Sequence, residues 1–216
     1  MINIVFEGAP GAGKTTIINR IVRKLEEHGI KVGNTVDIDP TTPLYPILRN
    51  MNNNTPLVTS DENFNTVLYE TFIQVSDYLY ARERIRSQNN EINIFDRAYF
   101  SIYAYQKVLL EEKYGSSCKP LLNNLLDILK FSGEKIDLIF YFTDKNDIYL
   151  NRAQKRDNTK FTNYEIKTLS LFEKELTDVI EKEKDYEIVY VVNENLNSTI
   201  NAIFKKIIDF YELRRK

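Results

Sequence analysis

Residues Gly8-Ala9-Pro10-Gly11-Ala12-Gly13-Lys14-Thr15 match the pattern G-x-x-x-x-G-K-[ST] without a mismatch. The glycines let the backbone curl so that several N–H groups converge on phosphate oxygens. A helix starting at the loop's end adds a partial positive charge. Lys14 reaches the outer phosphates as a point charge, and the Thr15 hydroxyl suits Mg²⁺ bridging phosphate oxygens. Gly8, Gly11, Ala12, Gly13, Lys14, Thr15 and Thr16 are therefore the expected nucleotide-binding residues, with ATP and Mg²⁺ as cofactors.

Four further groups carry chemistry. Asp96-Arg97 closes an apolar run, where Asp96 can hold a metal-bound water and Arg97 can neutralise a phosphoryl group in transit. Asp39 precedes Pro40 after a second apolar run, placed to take a proton from a hydroxyl acceptor or to orient a phosphate one. Arg152, Lys155, Arg156 and Lys160 form a basic cluster in which Arg152 and Arg156 share a helical face. A mobile lid bearing them, about 150–160, can expel water from a transfer reaction. Phe72, Gln74 and Tyr105 are candidates to hold a flat acceptor group by stacking and amide hydrogen bonds.

The elements that must position these groups alternate. Apolar runs at Ile2–Phe6, Lys31–Ile38, Ile92–Phe95, Ile136–Phe142 and Glu187–Val192 read as strands. Helical spacing is expected over Thr15–Glu27, Thr66–Arg86, about Ser101–Lys113, Pro120–Phe131, the segment holding Leu169 to Val179, and Asn197–Arg214. The Asn-rich stretch Asn50–Asn65 reads as a surface loop. Strand–helix alternation predicts an α/β fold with a parallel sheet covered on both faces. The 216 residues suit one domain spanning 1–216.

Composition narrows the classes. A net charge of −2 provides no overall field for nucleic acid or an anionic membrane. One cysteine, Cys118, and one histidine, His28, exclude an internal disulfide and a structural zinc site, which fits a reducing cytoplasm. No leader segment or apolar run long enough for a membrane span is expected.

Asp96-Arg97-Ala98-Tyr99-Phe100-Ser101-Ile102-Tyr103-Ala104-Tyr105-Gln106 resembles the D-R-Y-x-x-S-x-x-A-Y-Q stretch of thymidylate kinases. Phe6-Glu7-Gly8 with the glycine loop, Asp39-Pro40-Thr41-Thr42-Pro43-Leu44 followed by Arg49, and Asp137–Phe142 followed by Arg152 and Arg156 resemble other segments of that family in the same order. The resemblance implies a three-layer P-loop fold with strand order 2-3-1-4-5 and a small lid. It implies transfer of the γ-phosphoryl of ATP to a nucleoside monophosphate or nucleoside. Arg49 and Tyr105 would lie on the acceptor side; in the related deoxynucleoside kinases a helix glutamine, here Gln74, reads the base. A homodimer is compatible with the family.

Three positions depart from the family: Pro10 replaces a carboxylate that contacts the sugar, Leu68–Ala81 lacks the expected arginine, and Ile102 replaces a polar base-facing residue. They predict an acceptor other than dTMP. A kinase of this fold acting on a non-nucleotide hydroxyl compound, or a nucleotide switch without an acceptor, are the alternatives.

Overall fold

The structure, a computed structural model, describes residues 1–36, 40–54, 64–132, 135–143, 148–158, 160–182 and 185–215. Five parallel strands form one sheet: β1 (Ile2–Gly8), β2 (Val32–Thr35), β3 (Ile92–Asp96), β4 (Leu138–Phe142) and β5 (Glu187–Val191). Their spatial order is β2-β3-β1-β4-β5, as the resemblance implied. β1, β3 and β4 are buried at every position, as expected of central strands with both faces covered. β2 and β5 alternate or open to solvent because they are edges.

Side-chain alternation along β1 builds two cores. Ile2, Ile4 and Phe6 pack with α1 (Lys14–Glu27) and α8 (Leu196–Arg215) on one side. Val5 packs on the other with α3 (Phe64–Arg86), α4 (Tyr99–Tyr114), α5 (Lys119–Ser132) and α7 (Asn163–Lys182). α1 ends as its sequence dictates: Gly29 has φ +75, its N–H bonds Glu26 O at 2.9 Å, and Ile30 N–H bonds Leu25 O at 3.1 Å.

Two local expectations need correction. Tyr45–Asn54 is a helix, α2, so the first residues of the expected 50–65 loop are helical. The polar run hides it because only a few apolar residues, such as the buried Leu48, anchor it. Asn residues favour turns only when nothing else fixes the backbone. Of the expected 31–38 run, the described residues form strand over Val32–Thr35, with Lys31 and Val36 outside it; 37 and 38 lie outside the described residues. The basic segment expected to form the lid is largely the helix α6 (Ile148–Asp157). No helix among the described residues is long and apolar enough to cross a membrane.

At the amino end of the sheet, a buried amide chain crosses two strands. Asn93 donates to Asn3 Oδ1 at 2.9 Å and accepts from Asn90 Nδ2 at 3.1 Å. Asn93→Ala removes an acceptor and a donor at once, so unfolding in urea is expected to show a loss of about 2 kcal/mol or more. A change below about 0.5 kcal/mol contradicts this account.

Candidate functional site

β1 ends in the glycine loop, and the loop is held by what surrounds it. Gly11 has φ +81, and a β-carbon there would meet Tyr149 O at 2.0 Å. Gly13 has φ +84 and forms the start of α1, with no side-chain cap. The amides at this helix start are thus available to an anion. Asn193, just after β5, donates its Nδ2 to Ala12 O at 2.9 Å, while its own N–H donates to the Tyr149 hydroxyl at 2.8 Å. Neither Asn193 nor Tyr149 carries a sequence signal, since their partners lie far along the chain.

Lys14 is buried, and its Nζ donates to Gly8 O at 2.8 Å and Ala9 O at 2.9 Å. The Thr15 hydroxyl donates to Asp96 Oδ2 at 2.6 Å, tying the first turn of α1 to the end of β3. Two hard oxygen groups with a single carboxylate suit Mg²⁺, which keeps waters and phosphate oxygens as its other ligands. Thr16 lies exposed beside Thr15 on the first turn of α1.

Arg97 follows Asp96 with φ +71, a left-handed conformation uncommon outside glycine. Its N–H bonds Phe6 O at 3.0 Å, and its Nη1 donates to Ser101 Oγ at 3.0 Å. Its guanidinium stands 5.9 Å from the Phe172 ring, on which Tyr105 packs edge-on at 5.5 Å. Burial, and then the charge of Glu70, push the Tyr105 phenol well above its ordinary range, against the pull of Arg97. The phenol therefore keeps its proton and can donate a hydrogen bond.

Gln74 accepts from Gln106 Nε2 at 3.0 Å, and Gln106, wholly buried, is also joined to Thr71. Glu70, Gln74 and Asp77 follow i, i+4, i+7 spacing on one side of α3. Glu70 and Asp77 are buried carboxylates that the sequence analysis passed over, although that spacing was available to it. Phe72 points elsewhere: it lies about 200° around α3 from Gln74 and is 54% exposed. The structure therefore does not bring Phe72 and Gln74 to one surface, because two residues along a helix is more than half a turn.

Arg152 and Arg156 lie on α6, both exposed. Arg152 donates to Asn193 O at 3.0 Å, which ties α6 to the loop, and Arg156 lies in the last turn of the helix. Arg49, exposed on α2, donates to the Tyr45 hydroxyl at 3.3 Å. Arg82, the first cation along α3, is buried and lies flat on the Phe95 ring, 3.7 Å from its centroid. Asp39 lies outside the described residues.

Gly11→Ala forces a β-carbon against α6 in a left-handed backbone. The expected cost is about 1–3 kcal/mol of stability, read as a lower Tm, with weaker ATP binding by calorimetry. Unchanged melting and unchanged ATP affinity contradict the packing described.

The sequence profile of the thymidylate kinase family matches residues 6–203. Thymidylate kinase from Buchnera aphidicola subsp. Baizongia pistaciae is 32% identical over 174 residues, covering 73% of this chain and 74% of the relative. A probable thymidylate kinase from Sulfurisphaera tokodaii is 27% identical over 180 residues, covering 83% and 82%. Among solved structures, deoxyadenosine kinase from M. mycoides with bound dATP superposes with a TM-score of 0.68 at 17% identity, over 96% of this chain and 99% of that one. The last likeness concerns the fold. With the phosphate loop at the end of β1 and the Asp-Arg pair at the end of β3, the chain belongs to the thymidylate kinase family: it is a P-loop kinase that passes a phosphoryl group from ATP to a nucleotide or nucleoside.

Proposed function

We propose that the acceptor is a neutral nucleoside rather than dTMP. The observation that carries this reading is the α3 face formed by Glu70, Gln74 and Asp77, two carboxylates and an amide. Between residues 64 and 81 this helix has no cation, and Arg82 is buried against Phe95 and Tyr78. A helix side that offers oxygen acceptors, with no lysine or arginine along it to meet a phosphate, suits hydroxyl and base N–H donors. Pro10 and Ile102, which replace the family's polar groups, support the same reading.

In this reading Gly8, Gly11, Ala12, Gly13, Lys14, Thr15 and Thr16 hold ATP. Thr15 and Asp96 would hold Mg²⁺, which would offset charge on the phosphate oxygens. The acceptor hydroxyl oxygen bonds to the γ-phosphorus as the bond to the bridging oxygen breaks and ADP leaves. Asp39 takes the hydroxyl proton. Arg97, Arg152 and Arg156 neutralise the moving group, and Lys14 holds the phosphates it leaves behind. Gln74 reads the base, and Tyr105 lies beside the sugar. Arg49 closes the acceptor side. A single domain over 1–216, acting in the cytoplasm without nucleic acid or membrane, completes the reading; net charge −2 and a lone cysteine support it.

Steady-state kinetics over a panel of nucleosides and monophosphates tests it. A nucleoside is expected to exceed dTMP in kcat/KM by roughly a hundredfold, at about 1.4 kcal/mol per tenfold. dTMP giving the highest kcat/KM overturns the proposal. In parallel, Arg97→Lys is expected to cut kcat by tenfold or more with ATP binding little changed, because a planar fork becomes a point charge. Weaker ATP binding with normal turnover contradicts the role given to Arg97.

A further inference from the structure

One buried charge near this site has no part in the chemistry above. Glu7 is the penultimate residue of β1 and is fully buried. Strand alternation turns Asn3, Val5 and Glu7 to the α4 side of the sheet. Burial holds the carboxyl above its ordinary range, although Arg97, Ser101, the Ala98 N–H and Lys14 pull it part of the way back. A carboxyl group in such a place needs its partners.

It has two. One oxygen accepts from the Ala98 N–H at 2.8 Å, and the other accepts from the Ser101 hydroxyl. Ala98 is the residue before α4 and has no side chain that can cap the helix. β1 supplies the cap instead, and a negative charge at a helix start is favourable. Ser101 has one hydroxyl hydrogen. With that hydrogen committed to Glu7, its oxygen is left to accept from Arg97 Nη1. The two contacts brace Arg97 at two points, directly at the N–H of the next residue and through Ser101 at its guanidinium.

We propose that Glu7 is a positioning residue for phosphoryl transfer, its carboxylate locking Arg97 in place through the Ala98 N–H and the Ser101 hydroxyl. This rests on the reading of Arg97 as the group facing the moving phosphoryl. A carboxylate is needed because both neighbours donate to it. A glutamine keeps one acceptor oxygen and replaces the other with an NH₂ group that only donates. Its amide would either meet the Ala98 N–H with another N–H or present a second donor to a serine oxygen already serving Arg97.

The test uses the full chain, ATP and the best acceptor of the wild type. Glu7→Gln and Ser101→Ala are each expected to lower kcat about 10–100-fold, with the KM for ATP within about threefold. Adding Glu7→Gln to Arg97→Ala is expected to cause no further loss, since Glu7 acts through Arg97. Ser101→Thr, which keeps the hydroxyl, restores most of the rate lost in Ser101→Ala. Wild-type kcat in Glu7→Gln, or losses that multiply with Arg97→Ala, overturn the proposal. If Glu7→Gln fails to fold by circular dichroism, the serine pair decides: equal rates for Ser101→Ala and Ser101→Thr overturn it, and rescue by threonine supports it. If the wild type phosphorylates no nucleoside or monophosphate, the functional reading falls. The ¹⁵N signals of the Arg97 guanidinium then decide: rotation slowed in the wild type and freed in Ser101→Ala supports positioning, and identical rotation overturns it.

Discussion

Where β1 runs into the phosphate loop, Gly8 and Gly11 lie so close to their neighbours that no β-carbon fits at either position. A β-carbon at Gly8 would sit 2.3 Å from Phe142 O of β4, and one at Gly11 would sit 2.0 Å from Tyr149 O of α6. This close approach fixes the path of the phosphate loop. It also determines what stands around it, because the same contacts seat α6 and its arginines over the loop and bring Asn193 against Ala12. The rest of the site follows from strand order: β3 lies beside β1, so Asp96 meets Thr15 and Arg97 continues the pairing at Phe6.

The charges near this edge are not arranged for stability. Glu7, Lys14 and Arg82 are all buried, and each burial carries a desolvation cost. Glu7 offsets that cost through two donors, Lys14 through loop carbonyls, and Arg82 by lying on aromatic rings. Arg97 adds a left-handed backbone that a non-glycine residue adopts only under constraint. Strain and buried charge concentrated at the ends of neighbouring strands are what a site for moving a highly charged group requires, with its dipoles fixed before the reaction.

Much of this was legible in the sequence because it is local. The glycine loop is a contiguous pattern, and the strands are apolar runs, so the loop, Asp96-Arg97 and the sheet could be read directly. Strand order came from the family resemblance. What stayed hidden depends on distance along the chain. Glu7 reads as the polar end of a strand until α4, more than ninety residues later, is packed on it. Asn193 matters only beside Ala12, 181 residues away. Phe72 and Gln74 are candidates for one flat group by their chemistry, an aromatic ring and an amide, whereas the helix turns them to different sides. α2 was missed because an Asn-rich segment carries little apolar period.

The central claim is that this kinase joins the γ-phosphoryl to an uncharged acceptor. The most direct measurement is a one-pot competition: ATP labelled with ¹⁸O in its γ-phosphoryl, mixed with equal concentrations of nucleosides and monophosphates including dTMP, and all products weighed by mass spectrometry. The account predicts label in a nucleoside monophosphate formed from a nucleoside, with ADP in equal amount. Label chiefly in dTDP or another diphosphate, or released only as inorganic phosphate, would contradict it.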